Sequence, residues 1–158
     1  MSRTIAVTGG TGFIGGMLIH HLVNAGYRVR ALTRDRSAHK LPELAGLEAV
    51  SGSLQDSESL RLLLQDASAV VHCAGAVRGV TAADFNAVNI EGVIQLVQAA
   101  LSLSPRPRFL SLSSLAARAP QLSHYASSKR QGEQALASMA ADMEWVALRP
   151  PAVYGPGD

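Results

Sequence analysis

The chain has 158 residues, 47% of them hydrophobic and 16% charged, with a formal net charge of +2. That is one domain's length with enough apolar side chains for a sizeable core, and its scattered basic residues, all arginine except Lys40 and Lys129, form no dense run for a nucleic-acid backbone. The single cysteine, Cys73, excludes an intramolecular disulfide and fits a reducing, cytoplasmic setting, and no apolar run reaches signal-peptide or membrane-spanning length.

In chain order, "TIAVT" (4–8) reads as a short buried strand followed at once by glycines. Residues 13–25 carry Phe13, Met17, Leu18 and Leu22 at helical spacing and end at Gly26. "YRVRAL" (27–32) alternates and predicts a second strand; 35–46 is a polar loop or short helix interrupted by Pro42; "LEAVSG" (47–52) is a weak third strand. Ser57 is placed to cap a helix through Leu64, with Glu58 in its first turn. "SAVVHCAG" (68–75) is a buried fourth strand, and one long helix is predicted over about 82–103. "FLSLSS" (109–114), a helix over 122–140 and "EWVALR" (144–149) complete the series, with Trp145 expected in the core. Strands alternating with helices imply βα units: a doubly wound parallel sheet, Rossmann-type, in three layers α/β/α.

Chemistry begins at Thr8-Gly9-Gly10-Thr11-Gly12-Phe13-Ile14-Gly15, between the first strand and the first helix. Gly9 permits the tight turn, Gly12 leaves room for a pyrophosphate against bare backbone, and Gly15 lets the helix approach the sheet. The helix start offers unpaired N–H groups and the positive end of its dipole to phosphate. At the end of the second strand, Thr33 occupies the place where an acidic residue would hold a ribose 2′-hydroxyl, with Arg34 beside it, Asp35 next and Arg36 nearby. A guanidinium pairs with a 2′-phosphate that a carboxylate would repel, so NADP is favoured over NAD, with Arg34 as its ligand.

Tyr125 and Lys129 stand at i and i+4 and share one face of the predicted helix. A free phenol is a poor proton shuttle at neutral pH, and a neighbouring ammonium favours its ionised form. Ser113 and Ser114, at the end of the fifth strand, lie where parallel sheets bind ligands and could orient a substrate oxygen.

As a set these motifs resemble the short-chain dehydrogenase/reductase superfamily, and most closely its extended, epimerase/dehydratase-like branch. Gly9 to Gly15 fits that branch's GxxGxxG fingerprint, and Tyr125 and Lys129 match its YxxxK pair. "HCAG" (72–75) resembles the cofactor-lining segment after the fourth strand, "VNIEG" (88–92) its Asn-x-x-Gly, and "RPPAVYGPGD" (149–158) its Arg-Pro…Tyr-Gly-Pro-Gly segment. The resemblance implies a catalytic set of Ser114, Tyr125, Lys129 and Asn89, with Ser113 the second match for the serine and Asn89 supporting a water and the lysine. It implies cofactor contacts from Gly9, Thr11, Gly12, Phe13, Ile14, Gly15, Arg34, Ser53, Leu54, Cys73, Ala74, Gly75, Tyr125, Lys129 and Pro150, and hydride transfer on a small-molecule substrate, a sugar nucleotide in many relatives. The alternative is a non-catalytic NADP(H)-binding sensor, against which the complete Ser–Tyr–Lys set argues.

Three features depart from the branch. Ser53 stands where "GSLQD" would carry an adenine-contacting Asp, with Asp56 nearby. Ser114 and Tyr125 are closer together than sugar-nucleotide epimerases usually have them, and the chain stops at Asp158 where a substrate-binding part usually begins. Residues 1–158 are therefore expected to be the dinucleotide-binding domain of a longer protein. His20 and His21 read as surface residues, His72 as a packing residue and Cys73 as a small core residue. No His, Cys and carboxylate cluster has metal-ligand spacing. Alanine-rich faces such as "QALASMAA" suit a homodimer through the helices at about 82–103 and 122–140.

Overall fold

The structure, a computed structural model, describes residues 3–158; the first two residues of the expected domain lie outside the described residues. The strands are β1 (Thr4–Thr8), β2 (Arg28–Thr33), β3 (Leu47–Ser51), β4 (Ala67–His72), β5 (Arg108–Leu112) and β6 (Trp145–Leu148). They form a six-stranded sheet in the order β3-β2-β1-β4-β5-β6, parallel at every pairing. The chain winds outward from β1 to β3, then returns to the other side of β1 as β4. The strand order thus reverses between β1 and β4, which opens a crevice at their carboxyl ends.

The α-helices among the described residues are α1 (Phe13–Asn24), α2 (Ser57–Leu64), α3 (Ala82–Asn86), α4 (Gly92–Leu101) and α5 (His124–Met139). The larger core joins α2, α4 and α5 to one face through Leu60, Leu63, Leu96, Val97, Phe109 and Leu136. The smaller core joins α1 to the other through Ile5, Val7, Ile19, Val29 and Ala31. Each fully buried Leu, Ile or Phe contributes about 1.5–3 kcal/mol, so the larger cluster carries most of the stability.

Two expectations from sequence are corrected and one is refined. Asp56, not Ser57, caps α2: its carboxylate accepts from the Glu58 N–H, and Ser57 is the first helical residue. The long helix expected over 82–103 is present and continuous over 82–101, but Ala87–Glu91 is a π-helical turn between α3 and α4. A π turn widens the helix by one residue, and it rolls Asn89 inward, where it is buried. Finally, Trp145 is not in the core. It lies on β6, which pairs only with β5, so Trp145, Val146 and Leu148 stay 39–46% exposed. Among the described residues no helix is long and apolar enough to cross a membrane.

Candidate cofactor and active site

At the β1–α1 junction, Gly9 has φ +72°, and a Cβ there would sit 2.5 Å from the Ala74 N atom. The turn therefore needs glycine both for its left-handed backbone and because β4's continuation crosses directly over it. A Cβ on Gly15 would lie 2.1 Å from the Gly9 carbonyl oxygen, so this glycine allows α1 to seat against the turn. Gly12 is different. Its nearest obstacle is the Gly9 oxygen at 3.3 Å, and it lines the crevice. The bare backbone at Gly12 is space left for a ligand rather than space taken by the protein. No side chain caps α1, so the N–H groups of its first turn are available to an anion.

The β4 end is pinned beside this turn. Thr8 Oγ1 lies 2.7 Å from His72 Nδ1 and accepts from the Ala74 N–H at 3.4 Å. His72 Nε2 is buried without a partner among the described residues. Burial, and then the charge of Lys129, pushes the His72 pKa down to about 3, so the ring is neutral at pH 7 and packs rather than catalyses. Burial also pushes the Cys73 thiol up to about 11 against the opposing pull of Lys129, which makes it inert.

Two adjoining cavities run along the carboxyl edge. The first, about 300 Å³, is lined by Gly9, Thr11, Gly12, Arg34, Ser53, Leu54, Cys73, Ala74 and Gly75, all expected from sequence, and by Ser37, Gln55 and Val88, which sequence reasoning missed. Arg34 is exposed at its rim, while the Asp35 carboxylate accepts from Ser51 Oγ and is not part of the lining. Asp56 is not in the lining either, being engaged as the α2 cap. The second cavity, about 760 Å³, is lined by Phe13, Ile14, Gly15, Ser113, Ser114, Tyr125, Lys129 and Pro150. The two share Gly9, Gly12, Cys73 and Gly75 and so form one crevice.

In the second cavity Lys129 Nζ donates to the Leu112 carbonyl at 2.7 Å and lies under the Gly75 backbone. Burial lowers the Lys129 pKa below the ordinary lysine value, while the charges of Glu133 and Cys73 oppose that. Tyr125, one turn earlier, is half-buried with its ring edge-on to Phe85 at 6.1 Å between centroids. The two serines now separate: Ser113 is buried and donates to Glu133, whereas Ser114 Oγ only accepts from the Ala116 N–H at 3.2 Å and keeps its own proton free at the cavity wall.

Asn89 lines neither cavity. It lies beneath them, its Oδ1 accepting from the Ala76 N–H and its Nδ2 donating to the Ala76 carbonyl and to Ser128 Oγ, each at 2.9 Å. Asn89 therefore ties the π turn to the loop after β4 and to α5. Gly132 makes this possible, since a Cβ there would lie 2.2 Å from the Asn89 carbonyl oxygen. Nothing in the spacing of "KRQGE" points to that need. Among the described residues no group of His, Cys, Asp or Glu is placed to hold a metal.

A parallel doubly wound sheet with a glycine turn at its switch point, an uncapped helix start and a Tyr–Lys pair on one wall defines a dinucleotide-binding α/β protein. The model of the NAD dependent epimerase/dehydratase family matches residues 5–158, and the chain belongs to that family. A protein named ceramide reductase from Caulobacter vibrioides is 42% identical over 98% of this chain and 47% of its own length. UDP-glucose 4-epimerase from Vibrio cholerae is 29% identical over 99% of this chain and 54% of its own length. Among solved structures, a putative epimerase from Burkholderia cenocepacia superposes with a TM-score of 0.84 at 28% identity, covering 99% of this chain and 56% of that one. WbmG of Bordetella bronchiseptica, solved with NAD, gives 0.80 at 26% identity, covering 94% of this chain and 53% of that one. The chain spans about half the length of the relatives it matches.

Proposed function

We propose that this chain is the dinucleotide-binding half of an NADP(H)-dependent reductase acting on an apolar carbonyl compound. The observation that carries the reading is that Ser114, Tyr125 and Lys129 face one cavity which runs without interruption into the glycine-turn cavity. The crevice fits a dinucleotide because Gly12 holds open the space a Cβ would fill beside an uncapped helix start. When bound there, the nicotinamide supplies the hydride.

The chain's own residues do the rest. Ser114 donates to the substrate oxygen, and Tyr125 delivers a proton to that same oxygen as the carbonyl carbon is reduced to an alcohol. Lys129, held by the Leu112 carbonyl, stabilises the negative charge left on the phenol oxygen and would hold the nicotinamide ribose of a bound cofactor. Asn89 holds the loop after β4 against α5 and so fixes the floor under Lys129. Arg34, with Ser37 beside it, would bind the 2′-phosphate, while the Asp35 carboxylate accepts from Ser51 Oγ and lies outside the cavity lining. An apolar substrate is supported by Val77, Leu115, Pro151 and Val153 in the cavity wall and by the 42% relative's name, ceramide reductase. Ala137 and Ser138 on α5 are small and exposed, which leaves room there for a second copy of the intact protein.

The test is single-turnover oxidation of bound NADPH by the intact protein against long-chain ketones and aldehydes, with sugar nucleotides as the opposing arm. Tyr125→Phe should lower turnover at least about 100-fold. Arg34→Ala should weaken NADPH binding by about tenfold and leave NADH binding within about twofold. Turnover of sugar nucleotides alone would move the reading to an epimerase or dehydratase, and NADPH binding without any turnover would leave the sensor.

A further inference from the structure

Glu133 lies one helical turn beyond Lys129 on α5, and its side chain is only 10% exposed. Its carboxylate accepts from Ser113 Oγ and takes two hydrogen bonds from Arg149, through Nε at 2.8 Å and through Nη2. Arg130 adds a more distant contact at 3.7 Å. Burial alone would push this carboxyl up; the hydrogen bonds from Arg149 and Ser113, with the Arg149 and Arg130 charges, outweigh it and hold Glu133 ionised.

The partners of that one carboxylate flank the proposed active site. Ser113 immediately precedes Ser114, and Arg149 immediately precedes Pro150; Ser114 and Pro150 both line the second cavity. The backbone repeats the pairing, since the Ser113 N–H donates to the Leu148 carbonyl at 2.7 Å and the Leu115 N–H to the Pro150 carbonyl at 2.9 Å. Lys129 in turn holds the carbonyl of Leu112, the residue before Ser113. The carboxyl ends of β5 and β6 are therefore knotted to α5 at Lys129 and Glu133. Glu133 is also the carboxylate whose charge supports Lys129 in a cluster otherwise made of cations.

We infer that Glu133 is a positioning residue for Ser114 and Lys129, joining β5, β6 and α5 behind the catalytic wall. The inference rests on the proposed roles of those two residues. A surface ion pair would contribute little and would leave the site unaffected when removed; a largely buried carboxylate with three hydrogen bonds to residues 113 and 149 does not fit that description.

The experiment compares Glu133→Gln, Glu133→Asp and Ser113→Ala in the intact protein, reading kcat and KM for a carbonyl substrate, the NADPH dissociation constant and a crystal structure of each variant. Glu133→Gln should lower kcat by about tenfold or more, with KM and NADPH affinity within about twofold, because the loss is in alignment rather than in binding. Glu133→Asp keeps the charge but loses the reach and should behave alike. Ser113→Ala should cost about threefold and add nothing to Glu133→Gln, since both break one network. In the Glu133→Gln crystal, Lys129 Nζ should draw away from the Leu112 oxygen beyond about 3.5 Å. A kcat per NADPH-binding site within about twofold of wild type in all three variants overturns the inference, as does an unmoved Lys129. If Glu133→Gln does not fold, Ser113→Ala and Glu133→Asp decide the matter by the same readings. If wild type reduces no carbonyl, the proposed function falls, and the crystal structures alone judge Glu133.

Discussion

The two ends of the crevice are built from different materials. Around Gly9, Gly12 and Gly15 the protein uses backbone: a left-handed residue, a missing Cβ and uncapped N–H groups. Around Tyr125 it uses side chains, each held by another: Lys129 by Leu112, Asn89 by Ala76 and Ser128, Ser113 by Glu133, Glu133 by Arg149. The difference has a physical origin. A diphosphate is the same in every dinucleotide and is met by a fixed ring of N–H groups, whereas proton transfer needs adjustable charges whose protonation is set by neighbours. The backbone end should respond to substitution through sterics, nearly all or none; the side-chain end should respond by degrees and with pH.

The glycines give the largest contrast, and they can break it. Gly15→Ala drives a Cβ into the Gly9 carbonyl at 2.1 Å and should either prevent folding or abolish NADPH binding. Gly12→Ala meets only an oxygen at 3.3 Å, so its thermal midpoint should fall by no more than a few degrees while NADPH affinity drops about tenfold or more. Thermal unfolding beside a fluorescence titration separates the two, and equal loss of fold in both variants would remove the distinction between packing and ligand glycines. At the side-chain end, Asn89→Ala strips three hydrogen bonds from a buried junction and should cost about 2–3 kcal/mol in urea unfolding. A cost below about 0.5 kcal/mol would mean the π turn holds itself.

The smallest effect is the pH dependence. The folded His72 pKa is depressed from 6.5 to about 3, so the unfolded chain binds the proton more readily over that window. Stability should therefore fall as pH drops from 6.5 towards 3, by at most about 1.4 kcal/mol per pH unit from this residue. Glu133, also depressed, adds its share only below the ordinary carboxyl value of 4.5, as pH falls from there through its folded value. Replacing His72 by Leu should flatten the upper part of the window; an unchanged slope between pH 6.5 and 5 would show that His72 is not its source.

Much of the phosphate end was legible because its signals are local. A short apolar strand, a glycine run and a helical period lie consecutively, and backbone conformation follows from residue type over a few positions. Tyr125 and Lys129 were legible for the same reason, being one helical turn apart. Choosing between Ser113 and Ser114 was not a local matter, since it turns on Glu133, 20 residues later, taking one hydroxyl and leaving the other. Asp56 and Ser57 were confused because either can cap a helix, and the choice depends on where the loop from Gly52 delivers the chain. The π turn at Ala87–Glu91 keeps an apolar period that differs little from a straight helix, so no count of spacings shows it. Trp145 was expected inside on hydrophobicity alone, yet its burial depends on a neighbour for β6 that the described residues do not supply.

The order of strands and helices along the chain, the glycine turn and the placement of Tyr125 and Lys129 one turn apart on a single helix were thus determined by sequence, because each is a relation among residues within about one turn or one strand of each other. Which serine keeps its hydroxyl proton free, how Asn89 reaches Ala76 and Ser128, why position 132 must be glycine and how Glu133 gathers Ser113 and Arg149 were decided only when the sheet brought distant segments together. Those relations are set by atom-scale packing between elements far apart in the chain, and a one-dimensional pattern does not carry that distance.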